Sequence, residues 1–153
     1  MNLFLLVITC LIAVPDRPMP KLPPMAKSVH ESLIGEWQVV GVSIGGGQPD
    51  RPDGKQTMLT FTPTLIQVTH EAKRAEHDDA TYSLDVSKNP IAIDLVRTAD
   101  EKVMPSMSGI IKLEGDRLTM CFAVGRGAAR PTTFVATPDV NQMVMVLRRI
   151  QRK

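Results

Sequence analysis

The sequence predicts an all-β fold, an eight-stranded antiparallel barrel with a short N-terminal helical turn closing one end. Three observations predict it. Short apolar runs with period-two alternation recur at fairly regular spacing between Trp37 and Ile150, the pattern of a sandwich or an up-and-down barrel. Clusters of Gly, Pro, Asn and Asp punctuate them. Helical spacing of apolar residues is confined to the segment just before Gly35. Closure into a barrel removes the exposed edges of an open sheet, and eight strands leave an interior that side chains fill or that holds one small ligand.

The first segment, residues 1–14, contains the uncharged apolar run LFLLVITCLIAV. About twelve apolar residues are too short for a membrane span and fit the core of a signal peptide. Export to a periplasmic or extracytoplasmic location is therefore expected, although no Lys or Arg precedes the run, which keeps a cytoplasmic location open. Cys10 follows Thr9, a poor match to a lipoprotein box, so lipidation is not expected. Residues 15–26 carry Pro15, Pro18, Pro20, Pro23 and Pro24 and read as an extended, semi-rigid linker. The folded domain is expected over residues 27–153.

Within that domain, Val29, Leu33 and Ile34 lie at helical spacing. Ser28 is a candidate cap and Gly35 a stop. His30 is expected on the surface of this turn. Strands are then expected at Trp37–Ile44, Thr57–Thr62, Leu65–His70, Thr81–Val86, Ile91–Val96, Met107–Leu113, Arg117–Ala123 and Met143–Ile150, with a brief additional pairing at Thr132–Val135. Gly115 and Asp116 make the turn of one hairpin, and a Gly-rich loop ending in Arg130-Pro131 follows it.

The chain has 153 residues and a net charge of +2. One domain of that length buries roughly 70% of its unfolded surface and needs no metal or disulfide. The near balance of charge argues against nucleic-acid binding, which requires a concentrated basic face. The one dense basic cluster, Arg148, Arg149, Arg152 and Lys153, reads as a solvated strand end. Of the two cysteines, Cys10 and Cys121, the second falls in a core strand with no His nearby in sequence, and reads as an inert small hydrophobe.

Gly35-Glu36-Trp37, after a helical turn and at the start of the first strand, resembles the Gly-x-Trp signature of lipocalins. That resemblance implies that Trp37 plugs the barrel floor and that Arg148 or Arg149, from the last strand, lies across it. More of the chain resembles a family of small domains abundant in planctomycete bacteria and thought to be lipocalin-like. The matching residues are Tyr82-Ser83-Leu84-Asp85, Pro90-Ile91-Ala92-Ile93-Asp94, Gly109-Ile110-Ile111, Leu113-Glu114-Gly115-Asp116-Arg117-Leu118, Cys121-Phe122-Ala123, Arg130-Pro131-Thr132-Thr133-Phe134 and Val146-Leu147-Arg148-Arg149. With Gly35-Glu36-Trp37, which belongs to the same set, they span residues 35 to 149. Ile111 departs from the Tyr common in that family, and the long charged tip over residues 73–79 is a second departure. The resemblance implies a fold and no mechanism.

Met58, Met107, Met120, Met143 and Met145 all fall in expected strands. Met adapts to varied apolar ligands and equally fills gaps in a solid core. With Phe61, Leu84, Ile93 and Phe122 these are the candidate lining of a pocket. Arg130 is its candidate polar anchor, reaching either a ligand carboxylate or, as a loop pin, Asp94 or Asp116. Alternation places Asp94 opposite in phase to Ile91, Ile93 and Leu95, hence outward. Gly45-Gly46-Gly47 lacks the helix and the Gly-Lys-Ser/Thr end of a phosphate loop. His70, His77, Asp78 and Asp79 lie at a mixed-charge tip that reads as a solvated loop, so no metal is expected.

No nucleophile elbow, zinc motif or dinucleotide fingerprint occurs, so neither an enzyme nor a cofactor is expected. The leading expectation is a non-enzymatic binder of a small lipophilic ligand, with no transmembrane span. The alternative is a solid barrel that meets a protein or envelope partner through its loops. The sequence carries no sign of the oligomeric state.

Overall fold

The computed structural model describes residues 24–46, 56–99, 102–103, 107–125, 127–137, 139 and 141–151. The expected leader, Cys10, most of the linker, and Arg126, Arg152 and Lys153 lie outside the described residues. Helix α1 spans Pro24–Leu33, starting before the expected boundary at residue 27. Proline suits the first helical turn, where its missing N–H would have no partner.

Ten strands follow among the described residues: β1 (Gly35–Ile44), β2 (Thr57–Phe61), β3 (Leu65–His70), β4 (Lys73–Arg74), β5 (Ala80–Asp85), β6 (Ile91–Ala99), β7 (Lys102–Val103), β8 (Met107–Glu114), β9 (Arg117–Ala123) and β10 (Gln142–Arg149). β4 and β7 are two-residue additions paired to β3 and β6. The other eight form an antiparallel meander in which each pairs with the next, and β10 returns to pair with β1. The barrel is therefore closed, as the eight-stranded reading predicts, and it is consistent with the lipocalin-like architecture that the resemblance implies. The expected strand at Thr132–Val135 does not form. Pro131 has no N–H to give a ladder, and Phe134 and Ala136 instead pack on the outer wall against Ile110, Cys121 and Val144.

Alternation sorts the two faces. Ile93 and Leu95 of β6, Ile111 of β8, Leu118, Met120 and Phe122 of β9, and Leu147 of β10 join the interior core. Ile110, Cys121 and Val144 point the other way and are buried on the outer wall, where Phe134 and Ala136 pack against them. Gly109 shares the inward phase opposite Phe122. A Cβ there would stand 2.4 Å from Phe122 Cδ1 and 2.6 Å from the Cys121 carbonyl, so only glycine lets the ring lie across β8.

One irregularity matters for the interior. The β1–β10 register shifts between Val39 and Gly41, a bulge that exchanges the faces of β1. Trp37 and Val39 point inward before it, and Val42 lines the interior after it. Without the bulge, Val42 would face solvent.

The ends of the barrel differ. At the floor, Trp37 and Leu33 are fully buried. The Trp37 indole N–H donates to the Leu33 carbonyl at 2.8 Å, tying α1 to β1. The Arg149 guanidinium lies 4.2 Å from the Trp37 ring centroid and donates to the carbonyls of Ile34 and Ser32. Of the two arginines left open by the sequence, Arg149 has the inward phase of Leu147, whereas Arg148 is exposed. Gly35, at φ +131°, leaves room for this side chain, since a Cβ would sit 3.0 Å from Arg149 Nη1. His30 is not a free surface residue. It stacks on Tyr82 at 5.6 Å between centroids and lies 3.2 Å from the Tyr82 hydroxyl, which donates to the Thr62 carbonyl at 2.8 Å.

Candidate ligand cavity at the barrel mouth

The end opposite Trp37 is hollow. A cavity of about 390 Å³ extends inward from the mouth, in the range of small-molecule sites. Its wall is made by inward positions of successive strands: Val39 and Val42 from β1, Leu59 from β2, Ile66 and Val68 from β3, Leu95 from β6, and Met107, Met120, Phe122, Met143 and Met145 from β8 to β10. Thr57, His70, Asp78 and Arg97 complete the lining as polar groups near the rim.

Of the residues proposed from sequence as a pocket lining, Met107, Met120, Phe122, Met143 and Met145 line this cavity. Phe61 and Ile93 are buried in the core, and Leu84 packs against it; none of the three lines the cavity. Phe61 packs edge-on against Tyr82 at 5.6 Å. Met58 takes the other phase of β2: its cross-strand partners are Gln38 and Thr69, and its neighbour Leu59 points into the barrel.

Arg130 is not at the mouth. It lies on the outer wall, where Nη2 donates to both carboxylate oxygens of Asp94 at 2.8 and 2.9 Å. Its Nη1 donates to the carbonyls of Gly109 and Ile93 at 2.7 and 3.0 Å. Ser108 adds a hydroxyl donor to Asp94 at 2.8 Å. Asp94 is outward, as alternation predicts, and Arg130 pins the crossing loop to β6 and β8. Asp116 instead accepts from Gln151 and pairs with Arg149.

The charged tip is largely solvated, as the sequence suggests, with residues 71–74, Glu76 and His77 exposed, and its two aspartates are paired. Residues 71–79 turn through Glu71 and Ala72, both at positive φ, pair as β4, and close with a 3₁₀ turn at Glu76–Asp78. Asp79 holds the base. It accepts from Arg74 through both oxygens and from the Val68 amide at 3.1 Å. The Arg74 hydrogen bond holds the Asp79 carboxyl below its ordinary range, with the Val68 amide adding to the effect.

Next to it, Asp78 forms an ion pair with Arg97 of β6. The other Asp78 oxygen lies 3.4 Å from both His70 Nε2 and His77 Nε2. Thr57 Oγ1 is 3.0 Å from His70 Nδ1. No group of three or more His, Cys, Asp and Glu side chains suited to a metal occurs among the described residues.

Arg97 was the residue missed by sequence reasoning. Its signal was present: β6 runs Ile91, Ile93, Leu95, Arg97 along one face, so the period that puts three aliphatic side chains inside puts the guanidinium there too.

Two further concavities are open surface features. One, of about 480 Å³ at the floor end, lies among Glu114, Asp116, Arg117 and Arg148. The other, of about 320 Å³, lies beside Arg130 on the outer wall. Both are lined by more charged and polar side chains than the mouth cavity.

No family model, curated protein or solved structure matches this chain. Among the described residues, no helix is long and apolar enough to cross a membrane.

Proposed function

We propose that this chain is a non-enzymatic binder of a small lipophilic ligand, held inside the barrel. The observation that carries this reading is the mouth cavity: about 390 Å³ of space walled by aliphatic, Met and Phe side chains. Burying apolar ligand surface there is favourable at about 25 cal/mol per Å², and the methionines let the wall adjust to more than one shape. The cavity favours a binder over the solid-barrel interaction module. The apolar leader at residues 1–14 supports a location outside the cytoplasm. The Trp37–Arg149 pair supports kinship with lipocalins, and the motifs from Tyr82 to Arg149 support kinship with the planctomycete-type domains.

Native mass spectrometry of the folded chain after incubation with a lipid extract tests the reading. One noncovalent small-molecule adduct per chain is expected. A chain that stays free of adducts across extracts of varied composition argues against it.

A further inference from the structure

Resting on that reading, the polar rim narrows the class of ligand. Arg97 stands on the inward face of β6 with its side chain only 30% exposed, where an under-solvated charge is costly unless it is well satisfied. It is not fully satisfied. Among the described residues, Nη2 donates to Asp78, while Nε is buried without an acceptor. A guanidinium offers five N–H donors and no acceptor.

Among the described residues, the only carboxylate in the cavity lining, Asp78, is shared. Asp78 serves Arg97 with one oxygen and faces the imidazoles of His70 and His77 with the other. The Thr57 hydroxyl is engaged with His70. Among the described residues, donors therefore outnumber acceptors at the rim, and the rest of the cavity lining is apolar. The complementary molecule has an apolar body and an acceptor-rich head.

We propose that the ligand is a medium-chain monocarboxylate, its chain in the cavity and its carboxylate anchored on Arg97. Two acceptor oxygens in a plane match the guanidinium fork. Asp78 keeps its two imidazole neighbours when the ligand carboxylate takes up donors of Arg97. Arg130, the anchor suggested by sequence, has no part in this, because Asp94 occupies it on the opposite face of the wall.

Isothermal titration calorimetry of the folded chain with decanoate, 1-decanol and decylamine tests the assignment. Decanoate is expected to bind about ten-fold or more tightly than 1-decanol, the worth of a charge-assisted hydrogen bond. Arg97→Met should bring decanoate down to the level of 1-decanol, and Arg97→Lys, which keeps the charge and loses the fork, should fall between. If Arg97→Met does not fold by circular dichroism, the three-ligand comparison on the unaltered chain and on Arg97→Lys carries the test.

Equal or tighter binding of 1-decanol or decylamine overturns the carboxylate assignment and leaves the lipophilic-binder reading standing. A decanoate preference that survives loss of Arg97 overturns the anchor. If none of the three binds, both readings fall.

Discussion

Arg149 lies across Trp37, its guanidinium 4.2 Å from the ring centroid, and so joins the last strand to the first at the barrel floor. The same side chain donates to the carbonyls of Ser32 and Ile34, at and just past the end of α1. A helix leaves its last carbonyls without intrahelical donors, and a cation at a helix C-terminus is favourable. One arginine thus fixes helix, first strand and last strand together.

The floor should therefore be sensitive in a residue-specific way. Trp37→Ala removes a fully buried indole and is expected to cost about 3–5 kcal/mol. Arg149→Ala should cost about 1–3 kcal/mol, from the lost stacking and carbonyl contacts. Arg148→Ala, on the exposed phase, should stay within about 0.5 kcal/mol. Urea denaturation of the three variants checks the order. Equal effects at the two arginines would remove Arg149 from the floor.

Gly109 is a packing device. Gly109→Ala puts a methyl group where the Phe122 ring lies, and overpacking of this kind costs about 1–3 kcal/mol. Phe122 lines the mouth cavity, so the same variant should weaken binding of an apolar ligand. A thermal melt together with a ligand titration reads both effects.

Arg130 acts on the outer wall. Its bonds to Asp94, Gly109 and Ile93 hold the loop that covers Cys121. Cys121 is fully buried, and burial pushes its thiol pKa up, which leaves little thiolate to react. In a Cys10→Ser background, the unaltered chain should label slowly with a thiol reagent, and Arg130→Ala should label about ten-fold faster through local opening. Ligand binding should persist in Cys121→Ala. An unchanged labelling rate in Arg130→Ala would show that the loop is held by other contacts.

Acid should loosen the tip. The Asp79 carboxyl is held below its ordinary range chiefly by Arg74. Its folded pKa is depressed, so its contribution to stability is present above the unfolded value of about 3.9 and is lost as pH falls through the folded value. The melting temperature should drop on acidification below about pH 4, and the drop should be shallower in Asp79→Asn, which is less stable at neutral pH. Parallel curves for the two proteins would deny the Arg74–Asp79 pair that role.

The barrel was legible because period-two alternation survives in the long strands, broken at the bulge in β1. Leu65–His70 and Arg117–Ala123 form within the bounds that pattern predicts. Alternation also placed Asp94 outward, which made Arg130 a loop pin. Three things were not legible. The bulge at Val39–Gly41 reverses a face, and nothing in Val39-Val40-Gly41-Val42 announces where it falls. Cys121 reads as interior because burial by a crossing loop leaves the same apolar signature as burial in a barrel. The tip reads as solvated because its composition is charged, and it largely is, but composition does not show that Asp79 pairs with Arg74 and Asp78 with Arg97. Met58 misled for a simpler reason: an apolar residue on an outward phase looks like a lining residue until the phase of Leu59 is known.

Uptake of an apolar molecule by the mouth cavity in solution is the most direct test of ligand binding by this barrel. Titration of the chain and of Met107→Trp with a neutral, polarity-sensitive fluorophore measures this, since the indole would occupy part of the cavity that Met107 lines. Saturable binding of one fluorophore per chain, weakened about ten-fold or more by Met107→Trp with the fold intact, is the predicted result. No saturable binding, or equal binding by both folded proteins, would contradict a ligand cavity at the barrel mouth.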